Sequence, residues 1–513
     1  MQYNIYDEKL KGHFMENINP TRPNVLFILA DDQRYDTVRA LGNNEIITPN
    51  LDKLVRNGTS FVNAHIPGGT ASAVCMPSRA MINTGKNPFC FADNGKNVTD
   101  RDATMGETFK NANYRSCGIG KWHNGTDSYA RSFTDGNDIF FGGMWDHWNV
   151  PVCDYRDSGN YDCEINFVPN FSANMTPVKI LADKINAGVH STELFTSDAL
   201  KFIDEYDDEK PFFLYLSLLA PHDPRSMPEK YRNMYDPEKI SLPENYKPMP
   251  DFSFGWADRG RDEITASFPR TPDEIKRHIA DYYAMITHID DHVGLLLDSL
   301  EKKGIADNTV IVFCGDNGLA IGQHGLMGKQ SVYEHSTKVP LIMSGPGIPK
   351  DKQLTQYVYL MDIFPTLCEL CGIEIPKSVE SISFARMFSD SEYVTRRDIY
   401  YLFQARIRGV ADGRYKLIEY RTENLKLTQL FDLEKDPYET MNFFDFNGYE
   451  EITKRLRARM KEYASEWNEK DHIYGKQFWE AYDRYESAEL HGVDKPKGAS
   501  MANQTAEWGK AKK

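Results

Sequence analysis

Short runs of uninterrupted apolar residues alternate along this chain with segments whose apolar positions recur every three or four residues. Asn24-Val-Leu-Phe-Ile-Leu-Ala30 fits a strand buried on both faces, and it stops abruptly at Asp31-Asp32. Residues 211–218 and 309–314 have the same character. Between them lies a punctuated helix, with Thr48 as N-cap, Pro49 in the first turn, Leu51, Leu54 and Val55 as the stripe and Gly58 as the stop. Residues 191–205 read as another helix. Thr271-Pro272-Asp273-Glu274 opens a long one whose stripe runs Ile275, Ile279, Ile286, Ile289, Val293, Leu296 and Leu300 up to Gly304. Continuous apolar strands alternating with amphipathic helices predict an α/β fold, a large, mixed, mostly parallel sheet sandwiched by helices.

From about Arg396 the pattern shortens. Residues 399–407, 409–410, 415–420 and 429–432 read as antiparallel strands with a turn at Asp412-Gly413, and 452–469 as a closing helix. The chain therefore divides into an N-terminal extension (1–21), a main catalytic domain (22–390), a smaller C-terminal α+β domain with an antiparallel sheet (391–490) and a disordered tail (491–513). Residues 124–177 and 223–272, rich in Gly, Pro, Asp and aromatics, read as long irregular loops of the kind that face a substrate.

Composition narrows the function classes. Sixty Lys and Arg against 75 Asp and Glu give a formal charge of −15, so no basic face exists for general nucleic-acid or anionic-membrane binding. Eight irregularly spaced cysteines do not form a disulfide framework. The first 20 residues interleave charges and contain no apolar leader, and no stretch is long enough to span a bilayer. As written, the sequence predicts a cytoplasmic protein, periplasmic or secreted if a leader has been removed.

Candidate chemistry sits at strand ends. Asp31 and Asp32 end one buried strand, and Gly315-Asp316-Asn317-Gly318 follows another, the position where open α/β sheets place ligands. Three carboxylates and an amide suit a hard cation, Ca2+ or Mg2+, and suit Zn2+ poorly. Each cluster alone is equally compatible with a turn or a helix cap. Cys75-Met-Pro-Ser-Arg79, with Thr84-Gly85 beyond it, allows two readings. The thiol is either activated by the guanidinium or an ordinary buried structural cysteine.

This segment resembles the Cys-X-Pro-Ser-Arg…Thr-Gly signature of type I sulfatases of the alkaline phosphatase superfamily. Asn83 stands where many members carry leucine. The other motifs follow in family order from about Arg22 to Leu433: Gly120-Lys121-Trp122-His123, Ala220-Pro221-His222-Asp223, and Gly325-Leu-Met-Gly328-Lys329. The resemblance implies an alkaline-phosphatase-like fold and a sulfatase whose Cys75 a maturation enzyme converts to formylglycine. It implies a cation held by Asp31, Asp32, residue 75, Asp316 and Asn317, with Arg79, Lys121 and Lys329 neutralising sulfate oxygens. In that scheme a hydroxyl of the hydrated residue 75 attacks sulfur, His222 protonates the leaving alcohol, and His123 deprotonates the second hydroxyl so that sulfate is expelled.

Aromatic and basic residues of the two long loops, Trp145, His147, Arg225, Trp256, Arg259 and Arg261, point to a sulfated saccharide of glycosaminoglycan type. An aryl or steroid sulfate, a phosphonate or phosphate monoester, and an inactive binding homologue with unmodified Cys75 are the alternatives. Two further signals are read as structural. Cys368-Glu-Leu-Cys371 reads as a buried helix face, and His288, Asp290, Asp291 and His292 as a mostly solvated or ion-paired stripe.

Overall fold

The computed structural model describes residues 22–168, 176–252, 260, 262–422 and 425–490. Its central sheet comprises β1 (Asn24–Ala30), β2 (Gly58–Phe61), β3 (Arg115–Lys121), β4 (Asp135–Phe140), β5 (Phe212–Ser217), β6 (Thr309–Gly315), β7 (Leu341–Ser344) and β8 (Lys352–Leu354). The spatial order is β8-β2-β7-β6-β1-β5-β3-β4. Only the pairings of β7 with β6 and with β2 are antiparallel. β1 lies at the centre and is buried along its whole length, as its unbroken apolar run requires.

The helices that cover the sheet include α1 (Pro49–Arg56), α2 (Cys75–Thr84), α3 (Ser191–Glu205) and α4 (Pro272–Lys303). Side chains alternate along β1. Val25, Phe27 and Leu29 pack with Ala80, Met81 and Ile82 of α2 on one face. Leu26, Ile28 and Ala30 pack with Leu51, Phe195 and Ile286 of α1, α3 and α4 on the opposite face. The fold is thus a large, mostly parallel sheet between helical layers.

Local details differ from the sequence reading. Thr48 makes no cap bond to its own helix; its hydroxyl accepts from Arg39 N at 2.9 Å and donates to Asp52. The N-terminus of α1 is capped across the layer instead, by Asp290 of α4, whose carboxylate accepts from Leu51 N at 2.7 Å and from Asn50 N. Asp290 and His288 are both fully buried, whereas Asp291 is partly exposed and ion-paired with Lys230 at 2.9 Å, so half of the stripe expected to be solvated or ion-paired is internal. Residues 135–140, read as loop, form the edge strand β4. Their sequence DGNDIF contains no apolar run because only its second half is buried.

The C-terminal sheet joins β9 (Ile399–Phe403), β10 (Ile407–Ala411), β11 (Tyr415–Arg421) and β12 (Lys426–Asp432) in antiparallel order. The single strand expected over 399–407 is split by a turn at Gln404, whose φ is 44°. Helices α5 (Glu450–Glu466) and α6 (Ile473–Leu490) follow it. Leu456 and Met460 of α5 and Phe478 and Trp479 of α6 close a core over Tyr400, Leu402, Val410 and Leu417. The free edge of β9 pairs in parallel with Gly68–Gly69, six residues before Cys75, so the second sheet is stitched to the segment that leads into α2. No helix among the described residues is long and apolar enough to cross a membrane.

Candidate active site

Register alone brings the two acidic clusters together. β1 and β6 are parallel neighbours with Ala30 opposite Gly315, so Asp31-Asp32 and Asp316-Asn317 leave adjacent strand ends side by side. Asp316 N donates to Ala30 O at 2.9 Å, and Asp32 N donates to the Asp316 carboxylate at 3.0 Å. Asp32 is held at φ 65°, a left-handed conformation that costs a residue with a Cβ about 1 kcal/mol or more and is typical of sites where geometry outranks local comfort.

Helix α2 begins at Cys75 and points its first turn at this cluster. One turn further on, Arg79 is fully buried; its Nε donates to Asp316 Oδ2 at 2.8 Å and its Nη1 to Lys121 O at 3.0 Å and to the Ser217 hydroxyl. Lys121 is delivered by the end of β3, where the register with β4 shifts between Ile119 and Gly120. Gly120 sits at φ 85°, and a Cβ there would lie 2.1 Å from Ser217 O, so only glycine permits the kink that turns Lys121 inward. Its ammonium pairs with Asp31 and lies 3.7 Å from Cys75 Sγ. His123 Nδ1 is also 3.7 Å from that sulfur.

From the other side, Lys329 Nζ donates to both oxygens of Asp32, at 2.5 and 2.7 Å. His222 Nε2 stands 3.5 Å from Asp32 Oδ2. Asn317 Nδ2 donates to Asp32 Oδ1 at 2.7 Å. Every residue expected to serve catalysis or a cation, Asp31, Asp32, Cys75, Arg79, Lys121, His123, His222, Asp316, Asn317 and Lys329, is thus gathered at one end of the sheet.

The electrostatics are those of a closed site. Three carboxylates face three cations in pairs, Asp31 with Lys121, Asp32 with Lys329 and Asp316 with Arg79, and all six side chains are essentially buried. Burial alone would raise Asp31, but the charges of Lys121, Arg79 and Lys329 hold it well below the usual carboxylate range. Burial raises Asp32, and it pushes Asp316 up to about 7 with help from the neighbouring Asp31 charge. Burial also lowers the two imidazoles, His222 down to about 3, so both rings are neutral. The Cys75 thiol is pushed up by burial, which Lys121 and Lys329 only partly offset. The reading of Cys75 as an activated thiolate is therefore corrected: the unmodified residue is a protonated, poorly nucleophilic thiol.

The donor set fits a hard divalent cation. Asp31 Oδ1 and Asn317 Oδ1 are buried oxygens without a hydrogen-bond partner, an arrangement that is costly unless a cation lies against them. Ligand atoms of Asp31, Cys75 and Asp316 lie within 4.8 Å of one another, as do those of Asp31, Asp32 and His222.

Other participants carried no sequence signal. Gly143 O accepts from Lys121, and a Cβ at Gly143 would sit 2.8 Å from His123 Nε2, so this glycine seats both side chains. The Tyr282 hydroxyl donates to Asp32 O at 2.6 Å and accepts from Arg34 N at 2.8 Å, fixing the strained turn after β1. Ser78 donates to Asp316 O from within α2.

The expected substrate-binding residues fare differently. Trp145 is half-buried and packs against Phe167, with ring centroids 5.0 Å apart. Arg225 lies three residues past His222, its Nη1 2.6 Å from His278 Nδ1 and its Nη2 3.4 Å from Asp223. His147 does not face a substrate. It is fully buried, accepting from Ser191 Oγ at Nδ1 and donating from Nε2 to His222 O at 2.8 Å, so it holds the His222 backbone from behind. Trp256, Arg259 and Arg261 lie outside the described residues.

A family model described as Sulfatase matches residues 23–373, which include every one of these site residues. The chain belongs to the sulfatase family. It is a sulfuric ester hydrolase, and a second family model, described as N-sulphoglucosamine sulphohydrolase, C-terminal, matches residues 322–466 of this sulfatase. Among characterised relatives, an ulvan-active sulfatase of Formosa agariphila is 27% identical over 89% of this chain and 84% of its own length. An N-acetylglucosamine-6-O-sulfatase of Bacteroides thetaiotaomicron is 24% identical over 88% of each. A structure solved in complex with its substrate D-glucosamine-2-N,6-O-disulfate superposes with a TM-score of 0.68 at 22% identity, covering 89% of this chain and all of that one, a likeness of fold.

Proposed function

We propose that this sulfatase hydrolyses a sulfate ester on a saccharide, using Cys75 matured to formylglycine and a Ca2+ or Mg2+ ion held by Asp31, Asp32, Asp316 and Asn317. The observation that carries the reading is the buried junction itself. Residue 75 lies between Lys121 and His123, each 3.7 Å from its side chain, beside unpartnered carboxylate and amide oxygens. A formylglycine hydrate would supply an oxygen nucleophile and a second hydroxyl through which the enzyme is freed of sulfate, where the protonated thiol offers neither. A divalent cation, when bound, would supply positive charge against the sulfate oxygens.

The chain's own residues account for the rest. Arg79, Lys121 and Lys329 are fixed cations in a dry pocket, where each stabilises developing negative charge far more than it would in water. The Nδ1–H of the neutral His222 ring donates to Asp223 O at 2.9 Å, which orients Nε2 toward Asp32; Nε2 carries no proton in this state, so His222 would have to take one up when an anionic substrate adds negative charge beside it before it could protonate a leaving alcohol. His123 is placed to take a proton from residue 75.

A saccharide is favoured by the sulfated-sugar substrates in the names of the two relatives. The test is sulfate release from N-acetylglucosamine 6-sulfate, sulfated ulvan, glycosaminoglycan oligosaccharides and 4-nitrophenyl sulfate, and phosphate release from 4-nitrophenyl phosphate, each with Ca2+, Mg2+ or a chelator. Saccharide turnover above both nitrophenyl esters, abolished by the chelator, is expected. Preference for the aryl sulfate or the phosphate would replace this substrate assignment, and inactivity of protein carrying formylglycine on the whole panel would overturn it.

A further inference from the structure

Behind the catalytic histidine, where the first turn of α3 meets the middle of α4, three side chains converge that the hydrolytic chemistry does not use. His288 and His292 are four residues apart on α4 and therefore share a face. Glu193 faces them from α3, with Oε1 3.7 Å from His288 Nε2. One ligand atom from each of the three lies within 4.8 Å of the others. His288 is fully buried, yet neither ring nitrogen has a hydrogen-bond partner, and His292 Nδ1 has none either. A buried imidazole normally satisfies both nitrogens, and leaving one unmet costs about 1–3 kcal/mol.

We propose that Glu193, His288 and His292 form a second metal site, selective for a borderline transition ion such as Zn2+ and separate from the oxygen-lined catalytic centre. Two imidazole nitrogens and one carboxylate oxygen are the donor set such an ion prefers, and they suit Ca2+ and Mg2+ poorly. Tetrahedral coordination at about 2.0–2.1 Å needs donors roughly 3.4 Å apart, so the three atoms must close by at most about 1.4 Å. Glu193, whose side chain is 43% exposed, has the freedom to close that gap and leaves a route for the ion and for a fourth, water ligand. The nearest cation, Lys230, is neutralised by Asp291 at 2.9 Å, and the Tyr231 ring stacks on His288 at 4.4 Å, holding its plane.

The site pins α3 to α4 under the active site. His288 contacts His190 at a ring distance of 4.7 Å, His190 stacks on His147 at 5.0 Å, and His147 donates to His222 O. An ion here would stiffen the wall that carries His222.

Full-length protein saturated with Ca2+ and titrated with Co2+, with Zn2+ as competitor, tests the site independently of turnover. Wild type is expected to show saturable visible cobalt absorption of nitrogen–oxygen type that Zn2+ removes, and a Zn2+-dependent rise in unfolding temperature. Glu193→Gln and His292→Asn should each weaken binding at least about tenfold, the scale on which even outer-shell partners alter metal affinity. Because Glu193 is partly exposed, its variant should unfold at the wild-type temperature when Zn2+ is withheld, separating a lost ligand from a damaged fold. Absence of saturable binding, or both variants titrating like wild type, would overturn the proposal.

Discussion

At the site each residue answers a different constraint, and not all constraints leave a trace in sequence. Cys75, Arg79 and the three lysine and histidine motifs are legible because their chemistry is tied to residue type and spacing. Gly143 is not, since its role is to be absent as a side chain beside His123, and His147 was misread because a buried positioning histidine and a sugar-facing one look alike in sequence. Two outcomes follow at this scale. Cys75→Ser should bind the cation as wild type does but lose multiple turnover by at least about 10³-fold, since a serine hydroxyl lacks the second hydroxyl needed for release; a pre-steady-state burst of the alcohol, with the sulfuryl group retained on the protein, against the steady-state rate measures this. Gly143→Ala should leave the unfolding temperature nearly unchanged while lowering kcat by roughly 100-fold, because a displacement of about 1 Å in a catalytic group has that effect. Equal losses of stability and kcat would assign Gly143 to the fold instead.

At the scale of elements, the continuous strands β1, β5 and β6 and the long helix α4 could be read directly, because full burial leaves an unbroken apolar signature and amphipathicity a periodic one. The edge strand β4, the turn that divides β9 from β10, and the second closing helix α6 could not. An edge strand may be polar, and a turn at Gln404 uses a residue that does not announce a left-handed conformation. Nor does a sequence reveal that Gly68–Gly69 completes a sheet more than 300 residues away. Asp290 shows the same limit, since its place among histidines suggested surface charge while it actually caps α1 across the helical layer. Asp290→Ala should cost about 2 kcal/mol by leaving two amide donors of α1 buried and unpaired. Chemical unfolding should show this with kcat of the folded enzyme within twofold of wild type; a silent substitution would refute the capping role.

Across the whole molecule, an excess of 15 negative charges coexists with a pocket built for an anion, because the charge that matters is local: three carboxylates are matched by Arg79, Lys121 and Lys329, leaving any bound cation as net positive charge. Buried titratable groups also set the acid limit of the fold. Burial lowers His65, His190 and His324 to about 3 and His278 and His292 to about 4. These rings titrate near 6.5 when unfolded, so the stability they confer is complete above that pH and is lost as pH falls toward their folded values. Burial raises Asp198, Glu263 and Glu439 to about 7 and Asp290 to about 6; these bind protons more tightly when folded, so acidification between about 7 and 4 favours folding through them. The two sets oppose each other down to about pH 4, below which the histidine loss continues and is joined by that of Asp31 and Glu334, whose carboxyls are held below the usual range by neighbouring cations. The unfolding temperature should therefore change little from pH 7 to about 4.5 and fall steeply below 4, and a steady decline from pH 7 would contradict this balance.

The central claim, that residue 75 acts as an aldehyde hydrate inside this buried cluster, is tested most directly by mass spectrometry of the peptide spanning residue 75, taken from catalytically active protein purified from its native cell. The account predicts formylglycine at position 75, in a fraction that rises and falls with specific activity. Full activity from protein whose peptide carries only unmodified cysteine would contradict it.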